Sequence, residues 1–139
     1  MNQTLQFQLV SPEAILVSEP VRMVVIPGVE GEMGIGADHA ALVSALKPGV
    51  VKVYQNDNAE PRRIFIAGGF ADITGDHCTV LAESAIDVKD LKVEELERQI
   101  TNRSEDLMLI QEPADRARVQ AKLDIAKAKL QAVTGNIVF

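Results

Sequence analysis

The hydrophobic period of this chain changes once, near Asp87, and that change limits the folds open to it more than any other feature. Ahead of it the apolar residues fall in short, often alternating runs: Leu5, Phe7 and Leu9, then Val51 and Val53, then Ile64 and Ile66. Alternation puts every second side chain on one face of a pleated strand, so these runs predict strands with one face buried. Turn formers stand between them at Ser11-Pro12, Pro27-Gly28, Lys47-Pro48-Gly49, Asn56-Asp57-Asn58, Gly68-Gly69 and Gly75-Asp76. That spacing suits a compact antiparallel sandwich of about eight to ten short strands. Val24, Val25 and Ile26 are apolar in succession, the pattern of a strand covered on both faces.

After Asp87 the period lengthens to about three and a half, and glycine is absent until Gly135. Two helices are predicted. The first, roughly Asp90 to Ile110, takes Asp90 as its N-cap and gathers Leu96, Ile100, Leu107 and Ile110 near one face. The second opens on Pro113, whose fixed φ suits the first helical position, carries Asp115 where the helix dipole is positive, and stops at Gly135. Its apolar positions Val119, Leu123, Ala126, Leu130 and Val133 step by four, three, four and three, a heptad seam that calls for a partner helix. Only Gln111 and Glu112 lie between the two helices, so an antiparallel hairpin is the nearest solution. The expected fold class is α+β: an N-terminal antiparallel β-sandwich over residues 1–86, then a helical hairpin over 87–139. The seam is thin. Ala126 sits at its centre, and Ala117, Ala121, Ala128 and Ala132 flank it. Few large side chains remain, each contributing roughly 1.5–3 kcal/mol on burial. So lightly packed a hairpin can open, freeing its second helix to dock elsewhere.

Charge narrows the class of partner. The formal net charge of −6 sets the chain against phosphate backbones, so nucleic acid is not expected. Residues 1–86 carry ten acidic and five basic side chains, and residues 87–139 carry ten and nine. Within the second part, Pro113 to Thr134 sets Arg116, Arg118, Lys122, Lys127 and Lys129 against Asp115 and Asp124, a local +3 suited to an acidic partner. The single cysteine, Cys78, leaves no internal disulfide to form and fits a reducing compartment. Met1 to Val10 has neither a basic residue nor an unbroken apolar run, so no signal peptide is expected. The apolar runs break at Arg22, Lys47 or Lys52, short of the roughly 20 residues a bilayer crossing needs, so membrane association is expected only through partners.

The residues that could carry chemistry favour plain readings. Gly28, Gly31, Gly34 and Gly36 crowd Pro27 to His39, but no Gly-Lys-Ser/Thr or G-x-G-x-x-G order accompanies them. They are expected to serve tight turns around an exposed acidic loop at Glu30 and Glu32. Asp38 beside His39, and His77 beside Cys78, lack the companions that a zinc site or hydrolase triad requires. His39 reads as a structural or interface residue and Cys78 as a small core residue. Glu94, Glu95 and Glu97 read as a solvated helix face. Neither a metal nor a cofactor is expected.

The run GVEGEMGIGADHAALVSALKPGVVKV, residues 28–53, resembles the loop-and-strand segment of bacterial rotary ATP synthase epsilon subunits, with its Gly-Glu-Leu-Gly-Ile stretch, Gly-His-Ala-Pro and Leu-x-Pro-Gly. AGGFADITGDHCTVLAESA, residues 67–85, is similar to that family's Gly-Gly strand followed by V-x-V-L-A-(D/E), and the helical hairpin comes next in the same order. The loop departs from Leu-Pro-Gly-His-Ala-Pro, reading Gly36, Ala37, Asp38, His39, Ala40 and Ala41. Where nucleotide-binding members have (I/L)-D-x-x-R-A, Leu91 and Lys92 stand at the first two positions and Glu95 and Leu96 at the last two. A negative charge thus replaces the phosphate-facing arginine.

The resemblance implies a non-catalytic rotor subunit of a proton-translocating ATP synthase. Its sandwich would clasp the gamma subunit and rest on the c-subunit ring through Glu30, Gly31, Glu32 and His39. Its second helix would enter the catalytic head and restrain ATP hydrolysis by setting Arg116, Arg118, Lys122, Lys127 and Lys129 against the beta subunit, with alpha alongside. The location implied is the cytoplasmic side of the bacterial inner membrane, held there peripherally. Two other classes stay open on the residues alone: a small-ligand or nucleotide-sensing binding module at the junction of sandwich and hairpin, and an enzyme built on Asp38 and His39.

Overall fold

The structure, a computed structural model, describes residues 4–57 and 59–135. The chain divides after Asp87 into two compact units.

The first unit contains ten strands among the described residues: β1 (Leu5–Val10), β2 (Ile15–Val21), β3 (Met23–Gly28), β4 (Gly31–Gly36), β5 (Leu42–Leu46), β6 (Gly49–Tyr54), β7 (Arg62–Ile66), β8 (Gly69–Thr74), β9 (His77–Ala82) and β10 (Ala85–Asp87). They run in the order β10-β7-β6-β3-β5-β8-β9-β1-β2, with β4 on β3. The path is continuous, yet β3 and β5 share a single register pair, Gly28 with Leu46. That narrow join leaves two five-stranded layers, the sandwich expected from the alternation. Leu5, Phe7 and Leu9 of β1, Val24 and Ile26 of β3, and Cys78 and Val80 of β9 meet in one core between them. Met23 and Val25, on the other face of β3, are only half-buried. One pairing departs from the antiparallel expectation. β1 and β9 run parallel, Phe7 beside Cys78 and Leu9 beside Val80. Many strands of chain separate these two, so no hairpin imposes a direction on them.

The second unit opens with a single 3-10 turn, Val88–Asp90, followed by α1 (Val93–Leu109) and α2 (Pro113–Thr134). α1 begins later than its sequence suggests. Asp90 is not its N-cap, because Leu91 N–H bonds back to Val88 O and closes the 3-10 turn there. Lys92 takes the capping position in extended backbone, and among the described residues no side chain caps it. A lysine ammonium has no acceptor to offer an orphan N–H. α2 follows its sequence signals closely. Glu112 caps it by accepting from Asp115 N–H at 2.9 Å, Pro113 occupies the first turn, and Gly135 closes it in left-handed conformation at φ 77°. Leu96, Leu123 and Ala126 are buried in this unit.

Candidate interaction surfaces

The β3–β4 hairpin turns on only two residues, Val29 and Glu30, between the paired Gly28 and Gly31. Gly31 sits at φ 136°, where a side chain is strained, so the reversal depends on glycine at that point. The other glycines of the cluster act differently from the turn role expected of them. Gly28 lies in β3 and Gly34 and Gly36 in β4, and a Cβ on Gly28 would stand 2.7 Å from Gly31 O. Close approach of two backbones explains that one; the turn needs only Gly31. The tip is tied to β5 by Val29 N–H to Ala45 O at 3.1 Å, and behind it Lys47 N–H reaches Pro27 O at 2.9 Å. Exposed Glu30 and Glu32 therefore project beside exposed Val29, Leu42 and Val43, along a shallow groove with Met33 and Ser44 in its wall. The result is an acidic tip on an apolar edge.

His39 does not line that groove. It follows Asp38, which takes a left-handed φ of 66° in the β4–β5 loop, and its Nδ1 lies 2.8 Å from Ala40 O. An imidazole held by the next residue's carbonyl is positioned by its own loop. Among the described residues no three His, Cys, Asp or Glu side chains converge in a manner that could hold a metal ion. Cys78 is fully buried in β9. Burial, and then the charge of Asp72, push its thiol up from 9.0 to about 12. His77, its neighbour, faces outward and bonds Asp76 at 2.8 Å.

A second surface is not foreseen from the sequence. Register places Ala45 beside Phe70, Phe70 beside Leu81, Leu81 beside Val10 and Val10 beside Ile15, a row across β5, β8, β9, β1 and β2. Phe70 is 58% exposed, Leu81 53% and Ile15 61%, so the row faces outward. With strands about 4.8 Å apart it spans roughly 19 Å. The next row along the same face is polar over four strands, with Asp72, Thr79, Gln8 and Ser18. Each apolar residue could be read as outward from its strand's alternation, but only long-range register lines them up. Ala45 also walls the groove beneath the acidic tip, so β5 belongs to both surfaces.

The basic residues of α2 separate into two sets. At about 100° per residue, Arg118, Lys122 and Lys129 share one side of the helix, while Arg116 and Lys127 lie roughly opposite. Arg116 Nη1 donates to Ile110 O at 2.8 Å and also to Leu107 O. Arg118 pairs with Asp115 one turn behind it. Lys122 is exposed, and Lys127 and Lys129 are half-buried. At the start of α1, Leu91 is half-buried and Leu96 buried, while Lys92 and Glu95 are exposed beside Val93, Glu94 and Arg98 around a shallow depression. Sequence reasoning also passes over Arg103. It fills the seam position between Ile100 and Leu107, and its Nε is buried without a hydrogen-bond partner among the described residues. The four-three step from Leu96 through Ile100 points straight to position 103.

No helix among the described residues is long and apolar enough to cross a membrane. Residues 4–88 match the family described as "ATP synthase, Delta/Epsilon chain, beta-sandwich domain". The protein called ATP synthase epsilon chain in Rhodospirillum rubrum is 42% identical over 135 residues, which is 97% of this chain and 100% of that one. The epsilon chain of Rhodospirillum centenum is 42% identical over 140 residues, 98% of this chain and 96% of its own. That of Parvibaculum lavamentivorans is 44% identical over 127 residues, covering 91% and 96%. Among solved structures, a chain in the Euglena gracilis mitochondrial ATP synthase, in its OSCP/F1/c-ring assembly, superposes with a TM-score of 0.80 at 24% identity, over 90% of this chain and 78% of that one. A chain of the Tetrahymena thermophila mitochondrial ATP synthase central stalk and c-ring gives 0.70 at 14% identity, over 94% and 96%.

Proposed function

This chain belongs to the ATP synthase epsilon-chain family, and from that premise we propose that residues 1–86 couple a rotating c-subunit ring to the catalytic head through the gamma subunit, while residues 87–139 restrain ATP hydrolysis. It is a non-catalytic subunit of that complex. The observation that carries the coupling role is the meeting of two unlike surfaces at β5. The apolar row of Phe70, Leu81, Val10 and Ile15 suits a broad, dry contact with gamma. The acidic tip at Glu30, Gly31 and Glu32, edged by Val29 and Val43, suits a smaller contact at the ring, with His39 behind it. A rigid sandwich holding both transmits torque from one to the other without moving parts. The complex holds the chain at the cytoplasmic side of the bacterial inner membrane, with protons as the transported ion.

The restraining role is supported by the local +3 of α2 and by its thin seam. Arg118, Lys122 and Lys129 lie on one side of α2, where an acidic strip on the beta subunit, beside alpha, can meet them together. Arg116 and Lys127 belong to the opposite side. Lys92 and Glu95 fill positions where nucleotide-binding relatives offer aspartate and arginine, so the restraint does not depend on nucleotide sensing. The test is ATP hydrolysis by the purified head complex carrying either the full chain or one ending at Ile86. Activity rises several-fold on truncation if the helices restrain the head. Unchanged activity in a complex that still assembles would remove the restraining role.

A further inference from the structure

α1 ends in Asp106, Leu107, Met108 and Leu109, with no basic residue in its last turn. A helix leaves its final carbonyls without intrahelical donors, and their summed dipole is negative. Here the missing cation comes from the other helix. Arg116, in the opening turn of α2, sets one guanidinium nitrogen on both Leu107 O and Ile110 O. It thereby fastens the first turn of α2 to the last turn of α1 across the short linker between them. Arg103 works in the opposite sense. It places a charged side chain in the α1 seam and leaves its buried Nε unbonded among the described residues, a standing cost to keeping the helices together.

We propose that Arg116 is the latch of the compact hairpin, and that Arg103 and the small Ala126 keep the seam weak enough for the latch to decide whether the helices stay together. Swinging α2 away from α1 carries the guanidinium off both carbonyls, so Arg116 stabilises the closed hairpin and opposes docking of α2. This reverses the role that its charge alone suggests. The latch is a property of the free chain; only its consequence for hydrolysis rests on the restraining role proposed above.

The experiment uses the full chain with Cys78→Ala and spin labels on cysteines replacing Glu94 and Gln131, exposed positions near the far ends of the two helices. Their separation is measured by electron-electron double resonance. Arg116→Gln is expected to raise the long-distance population roughly five-fold, the scale of losing an exposed charge-assisted bond. Arg103→Leu is expected to lower it. If Arg116→Gln does not fold, the double variant compared with Arg103→Leu alone gives the same reading on a continuous apolar seam. An unchanged distance distribution on loss of Arg116 overturns the latch. Lengthened distances without any change in hydrolysis by the assembled head would uphold the latch and count against the restraining role instead.

Discussion

Cys78 shows how one buried atom can tie stability to pH. Its side chain is fully enclosed beside Phe7 and Ile73 in register, where ionising the thiol would strand a charge in the core. The folded state therefore holds its proton up to about pH 12, while the unfolded chain releases it near 9.0. Below pH 9 the two states bind that proton alike and the full contribution is present. Between these values the folded state binds more protons, so stability falls as pH rises. The urea midpoint of the full chain is expected to decline over that range more steeply than that of Cys78→Ala, and parallel slopes would show that the thiol is not responsible. Gly69 is a second residue with no room for exchange. It holds φ 149°, and a Cβ there would stand 2.1 Å from Leu81 O, a backbone atom that β8–β9 pairing fixes. Gly69→Ala should cost about 2 kcal/mol or more, from strain and displaced backbone together. Gly31→Ala, with nothing within 4 Å, should cost only the φ strain of about 1 kcal/mol. Urea denaturation separates them, and equal losses would contradict the contact argument.

Elements whose signals are local were legible before the structure. The switch from alternation to a heptad seam marks where strands end and helices begin. Pro113 and Gly135 bracket α2 because fixed φ and left-handed φ are properties of single residues. Where a competing local bond intervened, the reading failed. Asp90 had the right chemistry for an N-cap, yet the 3-10 turn ending on it displaced the start of α1 to Val93. The basic residues of α2 were countable but not their partners, and Arg116 turned out to serve α1. The apolar row lay further out of reach. It exists only because β9 pairs β8 on one side and β1, in parallel, on the other, and no short-range pattern carries that information. The acidic tip was more legible than either the row or the basic face, since a two-residue turn closed by glycine is written in consecutive positions.

At the scale of the whole molecule, the proposed gamma contact on the apolar row and the proposed restraint by the hairpin fall in different parts of the chain, so each is open to removal without the other. Phe70 and Leu81 are cross-strand neighbours pointing out of the sandwich, and their inward companions Ala71 and Val80 form the core behind them. Charge on the outer pair should leave that core intact. Placed in a gamma contact, however, two carboxylates lose water with no partner and oppose association strongly. Phe70→Glu combined with Leu81→Glu is therefore expected to fold with a urea midpoint close to that of the parent chain, yet to bind the gamma-containing head complex at least roughly 100-fold more weakly, the scale of an interface hot spot. Chromatography of the mixed components followed by a binding titration reads both effects. Retained affinity would move the gamma contact off this row, whereas a collapsed urea midpoint would mean that the outer pair supports the sandwich itself. Truncation after Ile86 predicts the complementary result, with binding kept and restraint lost, because the row lies wholly within the strands and the basic face wholly within α2.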